Sequence, residues 1–446
     1  MRRKDYGSCR YFHKIRVPRR LYKFVIASRE SDEKERKVMK RIDGGVTAAK
    51  GFEAAGAEAG IKYENRKDMA LVFTKTPAAA AGTFTTNVVK AAPVLWDQKI
   101  LAKGKPVHAV VLNSGIANAC TGEEGNGYNR QMAEAVAEVC SVGVEQVLTA
   151  STGVIGMQLR PEPVKRGAVL LKEALSPSRE GARAAAEAIM TTDTVAKECA
   201  VQIEIGGKEV SIGGMSKGSG MIHPNMATML SVITTDANIG RELLQELLVS
   251  VVSDTFNMIS VDRDTSTNDT CLVLANGMSG AEEIQSGTEA CETFKQALFT
   301  VACELAKQMA ADGEGCTKLL EVTVEHARTK EEAKLLSKSV ITSNLVKTAV
   351  FGSDANWGRI LCALGYAGVD FDPEVVDLTL SAGDGENLIL VKDGVATDYS
   401  EERATELLAQ QYVTVVCDMK QGEADATAWG CDLTYDYVQI NGDYRS

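Results

Sequence analysis

Short apolar segments alternate with amphipathic segments along most of the chain, and this alternation limits the fold more than any other feature. Segments such as HAVVLNSG, ATMLSVITTD and CLVLANG predict strands, the apolar ones buried on both faces. Segments such as GYNRQMAEAVAEVCSVG, GRELLQELLVSVVSDTFNMIS and CETFKQALFTVACELAKQMAADG carry apolar residues at intervals of three and four, which is typical of helices with one buried face. The chain is therefore predicted to be an α/β protein.

The length of the chain exceeds what one ordinary core accommodates. A chain of 446 residues predicts either two domains or one large layered domain. The charged segment EHARTKEEAKLLSKSVITSN separates the body from a later part with shorter predicted strands, such as VVDLTLS, QYVTVVCDM and WGCDLTYDYVQING. We therefore predict a smaller C-terminal domain at residues 326–446.

The net charge argues against one class of partner, and the cysteines indicate the redox compartment. The net charge is −11, but residues 1–43 hold 15 Lys and Arg against 6 Asp and Glu, which leaves 34 against 54 from residue 44 onward, a net charge of about −20. A body this acidic, with only 5% aromatic residues, is a poor partner for nucleic acid. Eleven cysteines without a C-x-x-C pair indicate a reducing compartment rather than a disulfide framework.

The first 38 residues differ in composition from the rest. They are rich in arginine, which permits a mitochondrial transit peptide and a location in the matrix, but they lack serine enrichment and run into the acidic RESDEKERK. We favour a translation start at Met39, since MKRIDGGVTAAKGFEAAG begins like a native chain, and we treat residues 1–38 as an extension outside the fold. No run of 18 apolar residues occurs, so we expect no membrane span and a cytoplasmic location.

The sequence lacks the motifs that several common kinds of functional site require. The glycine loop GGMSKGSG is not a P-loop, because its lysine precedes the glycine and the loop leads into a strand; a flexible hairpin loop is the simpler interpretation. The four histidines, His13, His108, His223 and His326, form no H-E-x-x-H motif, and no Cys/His cluster has metal-ligand spacing. There is no G-x-S-x-G elbow, so a hydrolytic triad would depend on His223 or His108. We expect no metal and no cofactor.

The segment SKGSGMIHPNMATMLSVITTDA, residues 216–237, changes from a glycine-rich loop to an apolar strand at Ala227–Thr228. A threonine hydroxyl is a weak nucleophile unless a base lies beside it, and a threonine at a chain's N-terminus has its own α-amine as that base. The ordinary pKa of an α-amine, roughly 7.7–8.0, suits a general base. To expose this amine, Thr228 Oγ1 must attack the carbonyl of Ala227, and water must cleave the ester that results. We therefore hypothesise self-cleavage at this bond, with Thr228 as the nucleophile.

Acyl chemistry also needs hydrogen-bond donors for a developing oxyanion, and the segment TASTGVIGM offers two. Thr152 supplies a hydroxyl, and Gly153 lets a backbone N–H approach closely. One such donor typically contributes on the order of 10²–10³ in rate. Because S-T-G is also a common turn, a purely structural role stays open for this motif.

Nine blocks in order resemble the glutamate N-acetyltransferase (ornithine acetyltransferase) family of arginine biosynthesis. The similarity runs from about Ile42 to Ser446 and rests on the following blocks: GGVTAAKGFEAAG, TFTTNVVKAAPV, LNSGIANACTG, ASTGVIG, KGSGMIHPNMATML, DTSTNDT, DGEGCTKLLEV, LVKTAVFGSDANWGRIL and CDLTYDYVQINGDYRS. One block would be a weak signal, whereas nine in family order are a strong one.

The resemblance implies a fold, a maturation step and a set of site residues. The implied fold is a layered sandwich of two central sheets flanked by helices, similar to the DmpA aminopeptidases, with a smaller C-terminal domain. Cleavage between Ala227 and Thr228 would give an α chain (39–227) and a β chain that begins with 228–325 and stays bound in an α₂β₂ heterotetramer. The implied oxyanion hole is Thr152 with Gly153, and the implied substrate contacts are Thr191, Lys217, Thr228, Glu314, Asn441 and Ser446.

The implied reaction moves the acetyl group of N2-acetylornithine to glutamate through an acetyl-threonine. Both amino acids carry an α-carboxylate, for which Lys217 is a suitable cation; Glu314 can receive an amino group, and Asn441 can hydrogen bond to either. The sequence leaves open whether acetyl-CoA is a second acetyl donor. A solvated loop acid at Glu314 and a frayed tail at Asn441 and Ser446 are the structural alternatives.

Three positions depart from the family pattern, and two other functions compete. Arg263 stands where a glycine is usual, Ile116 where asparagine is common, and Ser446 where threonine is frequent.

An N-terminal-nucleophile amidase or aminopeptidase would cleave itself in the same way but give the acyl group to water. An uncleaved ligand-binding protein with a degenerate site is the third alternative.

Overall fold

The computed structural model describes residues 39–223, 229–382 and 387–442. The N-terminal extension, the Ala227–Thr228 bond and Ser446 lie outside these ranges. Within them, the strands are β1 (Met39–Ile42), β2 (Phe52–Ala57), β3 (Met69–Phe84), β4 (Val107–Asn113), β5 (Val147–Ser151), β6 (Lys197–Ile205), β7 (Lys208–Lys217), β8 (Leu230–Thr235), β9 (Ile259–Ser260), β10 (Thr270–Ala275), β11 (Leu319–Ala327), β12 (Asp377–Ala382), β13 (Asn387–Lys392), β14 (Val395–Ala396), β15 (Tyr412–Asp418) and β16 (Ala424–Cys431). The helices are α1 (Ala92–Leu101), α2 (Gly122–Cys140), α3 (Pro161–Ala174), α4 (Arg179–Ala188), α5 (Arg241–Asp254), α6 (Glu289–Ala311), α7 (Lys330–Thr342), α8 (Asn344–Phe351), α9 (Trp357–Gly365), α10 (Glu401–Leu408) and α11 (Tyr435–Gly442).

The larger of two mixed sheets contains strands from both sides of the predicted cleavage point. Its order is β1-β6-β7-β8-β10-β3-β4-β5, and β2 pairs with β3 beside this path. Strand β8 is antiparallel to β7 and parallel to β10, so that Leu230 lies opposite Lys217 on one side and Thr270 on the other. Strands from before and after residue 228 therefore hold one another through backbone hydrogen bonds.

The smaller sheet has the order β14-β13-β12-β15-β11-β16-β9. Strand β11 is parallel to β15 and antiparallel to β16, while the short β9 extends the edge beyond β16. Two sheets with flanking helices confirm the predicted α/β class and its two central sheets. Strand β11 runs across residue 326, and the boundaries proposed at residues 227/228 and 325/326 stay predictions.

Helix α6 connects the two sheets and leads into the site. It packs against β6 and β7 of the larger sheet and against β16 of the smaller one. Phe294, Leu298 and Leu305 on this helix are fully buried, at the spacing that the sequence predicts. Burial of one such side chain contributes about 1.5–3 kcal/mol. The helix ends at Ala311, directly before a loop that reaches the cavity described below.

Two segments adopt a different structure from the predicted one. The segment TYDYVQING, the end of the predicted strand WGCDLTYDYVQING, contains helix α11 after β16 ends. The hydroxyl of Thr434 accepts a hydrogen bond from the Tyr437 N–H at 3.3 Å and so caps the first turn. The end of GRELLQELLVSVVSDTFNMIS, predicted as helical, contains β9. Helix α5 ends because Thr255 leaves the helical region, with φ −126°.

Among the residues described, no helix has both the length and the apolar character needed to cross a membrane.

Candidate active site

A cavity of about 290 Å³ opens where the ends of β5, β7 and β8 meet the loops before β10 and β11. Five of the residues that the sequence singled out line it together: Thr152, Gly153, Thr191, Lys217, Glu314; a sixth, Asn441, lines it from helix α11. Ala227, Thr228 and Ser446 lie outside the described residues. Met229, which follows Thr228 in the chain, also lines the cavity.

The turn after β5 presents two donors that have no acceptor among the described residues. Backbone hydrogen bonds tie it to the end of β4, from Thr152 N–H to Asn113 O at 3.0 Å, and to the segment that follows, from Val154 N–H to Gly115 O at 3.1 Å. The N–H of Gly153, between these two, and the hydroxyl of Thr152 take part in no hydrogen bond within the described ranges. Both residues line the cavity, so both donors are available to a negatively charged oxygen.

Glycine is required at position 153 for two reasons. Its φ is +132°, and a Cβ placed there would lie 2.2 Å from the carbonyl carbon of Gly115 and 2.6 Å from the N of Ile116. Ile116, one of the departures from the family pattern, is buried and pairs with Thr152 in a short antiparallel bridge. The close approach of the two segments therefore fixes the peptide that carries the free N–H.

A buried carboxylate, Asp193, organises the cationic side of the cavity. Its Oδ1 accepts hydrogen bonds from the Gly218 N–H at 2.7 Å and from Lys197 Nζ at 2.7 Å, and its Oδ2 accepts one from the Thr191 N–H at 3.0 Å. Lys217 Nζ lies 3.8 Å from Oδ2, an ion pair without a close hydrogen bond. Burial alone would raise the pKa of Asp193, but the charges of Lys197 and Lys217 outweigh it and hold this pKa below its usual value. The donors of Lys217 Nζ therefore remain available on this side of the cavity.

Asp193 is part of a longer row of alternating buried charges. Lys197, which is fully buried, also donates to Asp312 Oδ2 at 2.6 Å. Burial alone would lower the pKa of Lys197, but the two carboxylates raise it. Asp312 in turn accepts from the Thr194 N–H at 3.0 Å. Removing one member of such a row leaves an uncompensated buried charge, which typically costs about 3–5 kcal/mol.

The acidic side of the cavity is formed by Glu314, which is buried at 7% exposure. Its Oε2 accepts a hydrogen bond from Asn441 Nδ2 at 2.7 Å, and its backbone N–H donates to Ser219 O at 2.8 Å. The structural alternative of a solvated loop acid is therefore wrong for Glu314. Asn441 belongs to helix α11, so the amide that holds Glu314 comes from an ordered helix.

Replacing Gly220 by alanine should move Glu314 without unfolding the protein. A Cβ at Gly220 would lie 2.3 Å from the Cδ and Oε2 of Glu314, and the flexible end of that side chain can move away. The displaced carboxylate loses a charge-assisted hydrogen bond, worth about 1.5–3 kcal/mol. We expect KM for an amino-acid substrate to rise about tenfold or more, measured in steady-state assays. Gly127→Ala is the matched control, because a Cβ there meets no atom within 4 Å; equal effects in both variants would contradict the role of Glu314.

The loop before β10 adds residues that sequence reasoning quoted only as the family block DTSTNDT. Ser266, Thr267, Asn268 and Asp269 all line the cavity. Asp269 is 1% exposed, its Oδ2 has no hydrogen-bond partner within the described ranges, and burial raises its pKa well above the usual value.

Arg263, in the same loop, has a left-handed backbone conformation with φ +70°. This conformation explains why a glycine suits the position, and the exposed arginine side chain does not line the cavity. A non-glycine residue in this region is strained by about 1–2 kcal/mol, partly offset by the greater freedom of glycine in the unfolded chain. We expect Arg263→Gly to raise the free energy of unfolding by about 0.5–1 kcal/mol in a denaturant titration. A destabilised variant would mean that the arginine side chain makes a compensating contact.

The histidines that a hydrolytic triad would require, His108 and His223, are not among the described residues that line the cavity. His108 Nδ1 is 2.9 Å from a backbone carbonyl of β3, and His223 Nδ1 is 3.1 Å from Ser260 Oγ. Burial, with the charges of Lys338 and Arg263, lowers the pKa of His223 to about 4, so the imidazole is neutral at pH 7. No group of three or more metal-ligating side chains occurs in the described part of the chain.

Two free donors, a buried ammonium and an amide-held carboxylate in one cavity define an enzyme site suited to acyl transfer. The chain belongs to the ArgJ family, whose profile matches residues 53–446. It is 50% identical over 408 residues to the arginine biosynthesis bifunctional protein ArgJ of Caldanaerobacter subterraneus subsp. tengcongensis, covering 92% of this chain and 100% of that protein. It is 51% identical over 396 residues to the arginine biosynthesis bifunctional protein ArgJ 1 of Clostridium acetobutylicum, covering 89% of this chain and 96% of that one.

A solved structure of the arginine biosynthesis bifunctional protein argJ from Bacillus halodurans is 43% identical, with a TM-score of 0.45, and the match covers 47% of this chain and 96% of that chain. The match to the family model and the identities to the two relatives confirm the family recognised from the nine sequence blocks, and with it the expectation of an enzyme of that family. The roles of the individual residues stay predictions.

Proposed function

We propose that this protein transfers the acetyl group of N2-acetylornithine to glutamate through an acetyl ester on Thr228, after self-cleavage between Ala227 and Thr228. The observation that supports this most is the meeting, in one cavity, of the unsatisfied Thr152 hydroxyl and Gly153 N–H with Lys217 and Glu314. The names of the relatives place them in arginine biosynthesis, which fits both amino acids.

The charges of the cavity suit an amino acid bound through both of its ionic groups. The ammonium of Lys217 attracts an α-carboxylate, and the carboxylate of Glu314 attracts an ammonium group. The Thr152 hydroxyl and the Gly153 N–H then stabilise the negative oxygen that forms when the acetyl carbonyl is attacked. The α-amine of Thr228, released by cleavage, takes the proton of its hydroxyl as the bond to the acetyl carbon forms, and gives that proton to the ornithine nitrogen as the C–N bond breaks.

The size of the cavity favours donor and acceptor in turn rather than together. A volume of about 290 Å³ is at the low end for small-molecule sites, so one amino acid occupies it at a time. Ornithine leaves after giving up its acetyl group, and the amine of glutamate then attacks the acetyl ester.

The two chains stay associated, because β8 is paired on one side with β7 of the α chain and on the other with β10 of the β chain. We propose that two such pairs assemble as α₂β₂.

A second activity of the same site is favoured by the word bifunctional in the names of the relatives. With acetyl-CoA as the donor, the same acetyl ester forms and the same acceptor, glutamate, removes it. With this second activity, the protein is also an amino-acid N-acetyltransferase.

Covalent storage of the acetyl group is tested by kinetics and by mass. Parallel lines in double-reciprocal plots at varied glutamate are expected, together with one added acetyl group on the β chain when acetylornithine is mixed alone and quenched rapidly. Intersecting lines without an acetylated chain would mean direct transfer in a ternary complex. Release of acetate at the same rate with and without glutamate would instead identify an amidase. Ligand binding by an uncut, inactive chain would identify a binding protein.

A further inference from the structure

The side-chain amide of Asn268 connects the two segments that shape the turn with the free donors. Asn268 is 6% exposed and lines the cavity. Its Nδ2 donates one hydrogen bond to Ala117 O at 2.6 Å and another to Ser151 O at 2.8 Å. Its Oδ1 accepts one from the hydroxyl of Thr267 at 2.6 Å. Because both carbonyls can only accept, the orientation of the amide is unambiguous.

The peptide between Ser151 and Thr152 leads into the Thr152–Gly153 turn, and hydrogen bonds hold this peptide on both of its sides. The carbonyl of Ser151 and the N–H of Thr152 belong to one planar peptide unit. Asn268 holds the carbonyl, and Asn113 O accepts from the N–H at 3.0 Å. The second bond of Asn268 holds Ala117, whose N–H donates to Val154 O at 3.0 Å, on the far side of Gly153. Asn268 therefore restrains both ends of the Thr152–Gly153 turn.

We propose that Asn268 is a positioning residue that keeps the Thr152 hydroxyl and the Gly153 N–H directed at the reacting carbonyl. The inference rests on the proposed acyl transfer, since it concerns donors that matter only when an oxyanion forms. Asn268 follows the predicted cleavage point while Ser151 and Ala117 precede it, so the bonds also join the two proposed chains at the reaction centre. The hydrogen bonds of Asn268 go to Thr267, Ala117 and Ser151 and not to Lys217 or Glu314, so the two ionic contacts proposed for the substrate do not depend on it.

The substitution Asn268→Asp tests this role with little change of shape. The new oxygen replaces the NH₂ group and faces two carbonyl oxygens, so both donated bonds are lost. A misplacement of about 1 Å in such a site costs about 10²-fold in rate. We expect kcat for transfer from acetylornithine to glutamate to fall about 100-fold while KM for both substrates changes less than about threefold.

Asn276→Asp is the matched control, because Asn276 is a buried asparagine outside the cavity lining. Its Nδ2 donates to Lys50 O at 2.9 Å and to Thr74 Oγ1 at 3.3 Å. Similar melting temperatures for the two variants, with kcat reduced only in Asn268→Asp, are expected. If Asn268→Asp does not fold, Thr267→Val keeps the shape of the side chain and removes the hydroxyl that orients the amide, and it should lower kcat about three- to tenfold at unchanged KM.

Two outcomes would overturn the inference: an unchanged kcat in the folded Asn268 variant, or a loss confined to KM. If Thr267→Val is the variant that folds, an unchanged kcat there has the same meaning. Transfer by the wild-type protein is measured first. Its absence would reject the proposed function itself, whereas normal transfer by both wild type and variant would reject only the role of Asn268.

Discussion

Replacing Thr228 by alanine is expected to leave the chain uncut and to abolish acetyl transfer. The alanine has no hydroxyl to attack the preceding carbonyl, and neither the new N-terminal amine nor the acetyl ester can form. Intact-mass analysis should show two chains for the wild-type protein, the second beginning at Thr228, and a single chain for the variant. Loss of a nucleophilic hydroxyl in a comparable acyl-transfer site lowers kcat on the order of 10⁶-fold, so the activity of Thr228→Ala should be at background.

Thr234→Ala is the matched control for this substitution, because Thr234 is another threonine of the same chain segment, lies on β8 and is fully buried. Its hydroxyl donates to Val46 O at 2.7 Å, so the control loses a structural hydrogen bond and about 1 kcal/mol of stability. It should still cleave itself and transfer acetyl groups. A wild-type chain that stays uncut under native conditions would contradict the mechanism, because the proposed nucleophile would lack its base.

The parts of the site that could be predicted from the sequence are those whose chemistry is local. Thr152 and Gly153 are adjacent, and a hydroxyl followed by a glycine indicates paired donors in any acyl-transfer context. Lys217 stands in the glycine loop at the end of a predicted strand, but its role as a substrate contact is implied only by the family resemblance. The family blocks then supplied Glu314 and Asn441, whose direct hydrogen bond joins residues that are 127 positions apart.

The residues that sequence reasoning missed act through contacts distant in sequence. Asp193 stands in the segment MTTDTV, and nothing nearby predicts that it holds Gly218, 25 positions on. Its partner Lys197 reaches Asp312 across 115 positions, and Asn268 reaches Ser151 across 117. Charges of both signs on a strand usually face solvent, so the sequence gives no sign that Lys197 is fully buried.

Errors in secondary structure arose where a local pattern suits two structures. The aromatic and β-branched residues of TYDYVQING suit a strand, but the segment follows the last strand of the smaller sheet and has no neighbouring strand to pair with among those described. As helix α11 it can place Asn441 against Glu314. The identity of this element therefore depends on tertiary contacts, which periodicity does not report.

Removing the hydroxyl of Thr152 is expected to lower kcat about 10²–10³-fold, which corresponds to about 3–4 kcal/mol of transition-state stabilisation. The hydroxyl has no acceptor among the described residues, so its loss breaks no hydrogen bond there and should leave the melting temperature close to that of the wild type. The ground-state contacts predicted for the substrate lie elsewhere in the cavity, at Lys217 and Glu314. KM in Thr152→Ala should therefore change by less than the loss in kcat.

Thr152→Ser is the matched control, because it keeps a hydroxyl on the same Cβ and removes only a methyl group. It should recover most of the rate, since the donor rather than the side-chain volume stabilises the oxyanion. The backbone donor at Gly153 remains in both variants, which is why activity is reduced rather than abolished in Thr152→Ala. A serine variant as slow as the alanine variant would assign the effect to packing against Ile116, and a loss that appears only in KM would place Thr152 in substrate binding instead of transition-state stabilisation.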